Sequence, residues 1–203
     1  MRGNGNERAN EETMELTGEY VKKRILADGR KGYGVAAMDL AGAEALYPTY
    51  KYKELFKKAA DRNIPFTIHA GEAGNAEDVK TAVHMGAVRI GHGVRIAGNK
   101  EVIQLVKDKG VFLEMCPTSN RQTKAMEEMS AYPLKAFLEM GLKVTLNTDD
   151  PAIERTTLSR EFRYMESLLN LTQEQKRLLL LNSVEADFTS RNRKWKLKEQ
   201  LLF

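Results

Sequence analysis

The sequence contains little cysteine and no long apolar run. Among its 203 residues there is a single cysteine, Cys116. One cysteine excludes an internal disulfide framework and is typical of a reducing compartment, so we expect a cytoplasmic protein. No apolar run reaches the roughly 18 residues that a membrane span needs. The first residues, MRGNGNERANEET, are also too polar for a secretory signal. We therefore expect no membrane partner.

Phosphate-binding loops and strong charge are missing as well. Neither a G-x-G-x-x-G loop nor a Walker-type loop occurs. The net charge is only +4, and the basic run RNRKWK at 191–196 is more typical of a solvated helix end than of a nucleic-acid contact. We expect no nucleic-acid partner. With 42% hydrophobic residues, the chain can bury the core of one domain.

Five short apolar runs alternate with helix-like segments. We interpret residues 1–10 as a loose tail and residues 11–203 as one domain, which begins with a helix from Glu11 to about Ala27 that ends at DGRKGYG. Two or three further helices follow Arg155. This alternation predicts an α/β fold with a parallel sheet. The five apolar runs are VAAMDLAG (35–42), PFTIHAGEAG (65–74), AVRIGHG (87–93), VFLEMCPTSN (111–120) and LKVTLNTDDP (142–151).

Every apolar run ends in residues that carry chemistry, which is typical of a TIM-type (β/α)8 barrel. An open doubly wound sheet is the competing architecture, but it would usually carry a phosphate loop. Eight strands need about 250 residues, and the first 30 residues contain no β-type run. We therefore expect a partial barrel that lacks its first strands and has two open sheet edges. The residues at the ends of the runs are Asp39, His69, His92, Glu114 with Cys116, and Asp149 with Asp150.

Two of the three histidines are candidates for a functional site. His84 lies inside a predicted helix, where an ordinary helical histidine is the expected interpretation. His69 and His92 each end a strand and have small neighbours, in IHAGE and IGHGV. Small neighbours let a ligand or a metal ion approach the backbone closely. Two such histidines on successive strands favour a functional role.

The segment NTDDP adds two adjacent aspartates at the end of the fifth run. One interpretation is a turn that caps the next helix, with Pro151 at its first position. However, Asp149 precedes that cap, and zinc accepts both imidazole nitrogen and carboxylate oxygen. His69, Asp149 and His92 could therefore converge on one ion, with Glu72 beside it as a general acid or base.

In this order, the motifs MDLAG, HAGE, GHG, CPTSN and LNTDDP closely resemble the adenosine deaminase family of the metal-dependent hydrolase superfamily. Each motif alone is weakly specific, but five in order at fitting intervals are strongly specific. The resemblance covers about residues 11–200. It implies the later part of a TIM-type barrel, approximately strands four to eight with the C-terminal helices.

The resemblance implies catalytic and metal-binding roles for four residues. His69 looks like a zinc ligand, and Glu72 looks like the acid that protonates N1 of the purine. His92 looks like the residue that orients and deprotonates the attacking water. Asp149 looks like the carboxylate ligand of the zinc ion.

The resemblance also implies contacts with the substrate. Asp150 looks like a hydrogen-bond partner of purine N7. Gly42 looks like the glycine whose backbone contacts purine N3, with Asp39 nearby as a supporting polar group. In CPTSN, by contrast, Ser119 suits a turn at the end of a strand, and Cys116 is as consistent with packing as with chemistry.

The chain departs from the family pattern in two places. After MDLAG the family often carries Asp and then Glu. This chain has Ala43 and then Glu44, so it differs at position 43. The family also takes two zinc ligands from an H-x-H motif on its first strand, and no histidine is left here to supply one. A further acid that contacts the ribose belongs to the same missing region.

We therefore expect the C-terminal portion of a zinc-dependent adenosine deaminase that is inactive as an isolated chain. The complete enzyme would hydrolyse adenosine or 2′-deoxyadenosine to inosine or 2′-deoxyinosine and ammonia. Its partner would be a small-molecule purine nucleoside, and the open sheet edges predict self-association. The alternatives are a related aminopurine deaminase, another metal hydrolase, and a non-catalytic truncated barrel that acts as a binding or assembly module.

Overall fold

Five parallel strands lie side by side in the order in which they occur along the chain. The computed structural model describes residues 2–3, 5–22 and 35–202. Within these residues the sheet does not close, since β1 and β5 each pair with one strand only. The expected open part of a parallel α/β barrel is confirmed, and each apolar run contains one strand. The strands are β1 (Met38–Leu40), β2 (Phe66–Ala70), β3 (Arg89–His92), β4 (Phe112–Met115) and β5 (Lys143–Leu146).

Helices connect the strands and follow the last one. Two or three helices were predicted after Arg155, and three are present there, while a short helix that was not predicted, α5, follows β4. The first helix begins at Glu7 rather than at Glu11, inside the predicted loose tail, whereas the predicted DGRKGYG stop lies outside the described residues. The helices are α1 (Glu7–Lys22), α2 (Lys53–Asp61), α3 (Ala76–His84), α4 (Lys100–Lys109), α5 (Pro117–Gln122), α6 (Leu134–Glu139), α7 (Pro151–Glu154), α8 (Leu158–Leu169), α9 (Gln173–Ala186) and α10 (Arg191–Leu202).

Local sequence signals set the bounds of the helices next to the site. The side chain of Asn75 accepts hydrogen bonds from the backbone N–H groups of Glu77 and Asp78, and Asp78 accepts one from the backbone of Asn75. This capping box satisfies N–H groups that the first turn of α3 leaves unpaired. At α4, Gly110 ends the helix with φ 64°, a left-handed conformation that glycine adopts without strain.

The two faces of the sheet differ in chemistry. Ile68, Ile90, Leu113 and Val144 are fully buried in the apolar core. Because successive side chains of a strand point to opposite faces, the residues between them face the other way, and His69 of β2 is one of these. The helices therefore cover an apolar face, while the opposite face and the C-terminal strand ends carry polar groups.

Both outer strands have a neighbour other than a strand. The N–H group of Arg2 donates to the carbonyl of Ala41 at 2.9 Å, and Arg2 forms a parallel bridge with Gly42 beyond β1. On the other side, the side chain of Asn182 in α9 donates to the carbonyl of Val144 in β5 at 2.8 Å. At least one backbone carbonyl near each edge is thus already paired within the chain.

The basic run 191–196 forms the first half of α10, where Trp195 is 60% exposed. No helix in the described part of the chain is long and apolar enough to cross a membrane.

Candidate active site

His69 is the second-last residue of β2 and lies against the neighbouring strand β3. In the register of the sheet it is opposite Gly91 of β3, and a Cβ atom at that position would lie 2.8 Å from Cγ of His69. Glycine at position 91 therefore gives the ring its place. Nδ1 of His69 lies 3.0 Å from Oδ1 of Asp39, which belongs to β1. Because Asp39 occupies Nδ1, Nε2 is the ring nitrogen of His69 that remains available to a metal ion or another partner.

The environment of His69 favours its charged form. Burial disfavours the charge, but the hydrogen bond and the negative charge of Asp39 more than offset it, so the pKa of His69 lies above its ordinary value. A carboxylate that holds one ring nitrogen is the arrangement commonly found behind a metal-bound histidine, because it fixes the ring and raises its basicity. Asp39 thus supports His69, a more specific role than a polar group near the substrate.

His92 ends β3 and is almost completely buried, with 1% of its side chain exposed. Its φ of 64° is uncommon for a residue other than glycine, and such strained positions concentrate at functional sites. Nδ1 of His92 lies 2.9 Å from Nδ2 of Asn120, whose Oδ1 accepts a hydrogen bond from the Tyr132 hydroxyl at 2.8 Å. Burial lowers the pKa of His92, against the opposing charge of Glu72.

Glu72 follows β2 on a turn and reaches the region beside His92. Oε1 of Glu72 accepts a hydrogen bond from the Thr123 hydroxyl at 3.0 Å. Oε2 lies 3.4 Å from Nε2 of His92. The turn begins at Gly71, where φ is 73° and glycine is the residue that adopts the conformation freely. Because Gly71 lets the chain turn directly after β2, Glu72 reaches the same site although it follows His69 by only three residues.

Asp149 reaches this cluster from the end of β5. Oδ2 of Asp149 accepts a hydrogen bond from Ser119 at 2.8 Å and lies 3.9 Å from Nε2 of His92. Asp149 has a φ of 59°, so it shares the strained backbone conformation of His92. Two neighbouring groups of one cluster held in uncommon conformations indicate a site that the surrounding structure constrains.

His69, His92 and Asp149 offer ligand atoms that all lie within 4.8 Å of one another. Two imidazoles and a carboxylate are a donor set that zinc accepts, and catalytic zinc sites usually have three protein ligands. The residues of this chain therefore fit a zinc ion.

A cavity of about 380 Å³ opens over the cluster. The lining includes the three potential ligands together with Glu114 and Cys116. Burial raises the pKa of both Glu114 and Cys116. Glu114 also forms an ion pair with Arg89, at 3.1 Å between Oε1 and Nε. Glu114 and Cys116 therefore form part of the cavity wall.

Three other residues singled out in the sequence are not part of the lining of this cavity. Asp150 precedes α7 and does not cap it with its side chain, while Pro151 takes the predicted first position of the helix. Gly42 has φ 116° and lies against the backbone of Arg2. His84 is exposed at the end of α3, as expected for an ordinary helical residue. Neither Gly42 nor Asp150 lines the cavity over the ligand cluster.

Sequence reasoning missed several residues that support the site, among them Ser119, Asn120 and Glu44. Ser119 was interpreted as part of a strand-ending turn, and Asn120 was given no role. Both lie on α5, where Ser119 contacts Asp149 and Asn120 contacts His92. The available signal was their position directly after an apolar run, the same signal that identified the histidines. Glu44 was noted only as the residue after Ala43, yet it is buried against the turn that carries Glu72.

Comparisons with known proteins identify the family of this chain. The family model described as adenosine deaminase matches residues 9–202. An adenosine deaminase from Haemophilus ducreyi is 42% identical over 190 residues, which is 94% of this chain and 53% of that protein. The chain thus spans about half the length of the curated relatives it matches.

Solved structures show the same fold. The crystal structure of adenine deaminase from Arthrobacter aurescens has a TM-score of 0.79 and 29% identity, and the match covers 93% of this chain and 57% of that one. A Burkholderia ambifaria amidohydrolase with bound zinc has a TM-score of 0.79 at 21% identity, over 95% of this chain and 52% of that one. With a family model that matches nearly all of its length, this chain belongs to the adenosine deaminase family.

Proposed function

We propose that this chain is the C-terminal portion of a zinc-dependent deaminase that hydrolyses adenosine or 2′-deoxyadenosine to the corresponding inosine and ammonia. The observation that carries the proposal is the convergence of His69, His92 and Asp149, with Glu72 3.4 Å from His92. Two nitrogen donors, a carboxylate and a second carboxyl group beside them suit a metal-assisted hydrolysis with separate proton transfer.

His69 and Asp149 are the residues of this chain that would hold the zinc ion. When bound, zinc lowers the pKa of water toward about 7 and so supplies a nucleophile at neutral pH. His92 is assigned to the attacking water, so this chain supplies two ligands, fewer than the three that catalytic zinc sites usually have. The missing ligands would come from an H-x-H segment outside this sequence, so we expect the isolated 203-residue chain to be inactive.

Glu72 would donate a proton to N1 of the purine while the water oxygen adds to C6. One proton of the water would return to the Glu72 carboxylate, and the other would pass to the amino group, which leaves C6 as ammonia. Its hydrogen bond with Thr123 holds one carboxyl oxygen, while the other faces the centre of the cluster. Asp150, with its side chain free of the capping bond, would contact N7. Gly42 would contact N3, provided that the backbone of Arg2 moves away from it.

His92 suits the orientation of the attacking water better than its deprotonation. Since Tyr132 donates to Oδ1 of Asn120, the amide nitrogen of Asn120 is the atom that faces His92, and it donates to Nδ1. A neutral His92 then carries its proton on Nε2, the nitrogen that faces Glu72 and Asp149. In that form Nε2 donates a hydrogen bond and accepts no proton.

A related aminopurine deaminase is the second candidate, because adenine deaminase from Arthrobacter aurescens is 29% identical to this chain. The cluster of His69, His92, Asp149 and Glu72 contains no residue that is assigned to the ribose, because the resemblance places that acid in the region that this chain lacks. Purine nucleosides and free purines therefore have to be distinguished by experiment.

The test uses a reconstituted protein, in which the full 203-residue chain is fused behind the N-terminal half of the Haemophilus ducreyi relative. Ammonia release is measured with zinc and equal concentrations of adenosine, 2′-deoxyadenosine, adenine and cytidine. We expect turnover of the two adenine nucleosides and none of cytidine, because a site built to pair ring nitrogens rejects analogues that leave its polar groups unpaired. Faster turnover of adenine would favour the second candidate, and comparable turnover of cytidine would contradict both.

A further inference from the structure

Glu44 is a buried acid whose carboxylate is enclosed by one short turn. Only 4% of the residue is exposed. Oε1 accepts a hydrogen bond from the N–H group of Gly71 at 2.6 Å. Oε2 accepts two more, from Glu72 at 3.0 Å and from Ala73 at 2.8 Å. Three consecutive backbone N–H groups thus point at a single side chain.

Such a nest of consecutive N–H groups is an arrangement that stabilises a negative charge. Hydrogen bonds from backbone N–H groups to a carboxylate are also stronger than those between neutral groups. The turn is fitted closely around its anion, because a Cβ atom at Gly74 would lie 2.5 Å from Oε1 of Glu44. The position of the turn therefore depends on a carboxylate of this length at position 44.

The enclosed turn is the segment that carries Glu72. While the backbone N–H of Glu72 is held by Glu44, its carboxyl group extends the other way, toward Thr123 and His92. Glu44 follows β1, and its hydrogen bonds therefore connect the end of β1 to the turn that follows β2. A change at Glu44 would move Glu72 without removing any group from the cluster of potential ligands.

We infer that Glu44 is a positioning residue that directs the carboxyl group of Glu72 toward the substrate by fixing the backbone of residues 71–73. The inference rests on the proposed function for the task of Glu72, whereas the hold of Glu44 on the turn does not depend on it. Glu44 contacts neither the substrate nor the metal ligands in this role.

Asp78 provides a matched control. It is also a buried acid close to the turn, and it accepts hydrogen bonds from the backbone N–H groups of Thr49 and Asn75. It does not bind residues 71–73. Loss of Asp78 should therefore weaken the fold without releasing Glu72.

The first experiment measures amide hydrogen exchange on the 203-residue chain and its Glu44→Gln, Glu44→Asp and Asp78→Asn variants. The glutamine amide group turns an N–H₂ toward at least one N–H donor of the turn. Protection at Glu72 and Ala73 should fall on the order of 10- to 100-fold, the equivalent of losing one or two charged hydrogen bonds. Protection at Ile68 in β2 should stay unchanged. Unchanged protection at 72 and 73 in Glu44→Gln would overturn the inference.

The second experiment measures kinetics of the same variants in the reconstituted protein. We expect Glu44→Gln to lower kcat about 10- to 100-fold at unchanged KM and zinc content, since only the orientation of the proton donor changes. Glu44→Asp should recover part of the loss because it keeps the charge. Asp78→Asn should lower Tm and leave kcat near that of the parent.

A variant that loosens the turn but keeps the parent kcat would overturn the positioning role, as would a loss of kcat in Asp78→Asn equal to that in Glu44→Gln. If the parent reconstituted protein deaminates no purine, the proposed function fails instead. The exchange experiment then still decides whether Glu44 holds the turn.

Discussion

His69 and His92 end neighbouring strands, yet the structure gives them opposite environments. Their rings lie edge to face with centroids 5.1 Å apart. Asp39 holds His69 and raises its pKa despite burial, whereas burial lowers the pKa of His92. On His92, the nitrogen turned away from the cluster faces an amide donor, Asn120, instead of a carboxylate.

The difference shows that equivalent positions on a parallel sheet can serve different tasks. A carboxylate behind His69 increases the electron density at its free nitrogen, which suits a metal ligand. A neutral, buried His92 with its proton on Nε2 suits the orientation of a water molecule or of an acceptor oxygen. The nearest non-histidine partners, Asp39 and Asn120, create the distinction.

The largest expected effect follows from removal of the acid next to His92. In the reconstituted protein, Glu72→Gln keeps the size of the side chain but removes the proton donor. The rate should fall on the order of 10² to 10⁴, while zinc content by atomic absorption should stay near that of the parent. Loss of zinc together with activity would make Glu72 a ligand and contradict its assigned role.

The second effect concerns the other histidine. Asp39→Asn removes the negative charge behind His69, and we expect zinc affinity of the reconstituted protein to fall about 10- to 100-fold. Competition with a zinc chelator measures this change. Asp108→Asn is a surface control, because Asp108 lies on α4 and pairs with Gln104. Equal zinc affinity in the parent and in Asp39→Asn would remove the distinction between the two histidines.

A smaller effect is expected from Asn120→Asp, which should move the proton of His92 from one ring nitrogen to the other. In Asn120→Asp, the introduced carboxylate faces Nδ1 of His92 and accepts a hydrogen bond there, so the proton moves from Nε2 to Nδ1 and the pKa of His92 rises. The ¹⁵N chemical shifts of the ring in the 203-residue chain report both changes. A parent protein in which Nδ1 already carries the proton would show that the amide of Asn120 is oriented the other way.

The pH dependence of stability should separate the histidines most subtly. The pKa of His69 is raised above 6.5 by folding, so its contribution to stability is complete below pH 6.5 and is lost as the pH rises through the folded pKa. The pKa of His92 is lowered below 6.5, so the folded state is destabilised as the pH falls from 6.5 toward that lower pKa.

Urea unfolding of the 203-residue chain across this pH range measures both effects. His69→Gln should flatten the dependence above pH 6.5, and His92→Gln should flatten it below. A variant that flattens the opposite limb would contradict the pKa directions.

Light scattering tests the predicted self-association of the isolated chain, which depends on its sheet edges. Arg2 and α9 already pair backbone groups near β1 and β5, so association through these edges has to compete with contacts inside the chain. Association that is present in the chain and absent from the reconstituted protein would agree with the edges as its origin. A monodisperse monomer of the isolated chain would contradict the prediction.

The sequence predicted the strands well because each is a short apolar run that ends in a polar residue. The capping of α3 by Asn75 is likewise a local signal, because asparagine is a preferred N-cap residue. The start of α1 was wrong because the residues from Glu7 onward carry little apolar periodicity, although they are good helix formers. The helix α5 was missed because its sequence, PTSNRQ, favours a turn.

Residue types at the strand ends were enough to identify the cluster of His69, His92 and Asp149. The partners of these residues could not be predicted, because the contacts of Asp39, Asn120 and Glu44 depend on the three-dimensional arrangement of neighbouring strands and turns. For the same reason, the sequence separated the roles of the two histidines only through the family resemblance, and the structure adds the partners that give them opposite environments.

The central claim is that this chain supplies one part of a divided zinc site. The direct measurement is ammonia release from adenosine, with added zinc, by the 203-residue chain, by the N-terminal half of the Haemophilus ducreyi relative, and by the two combined in the reconstituted protein. The account predicts no activity from either part alone and deaminase activity from the combination. Ordinary enzymatic turnover by the 203-residue chain alone, or an inactive combination that is folded and contains zinc, would contradict it.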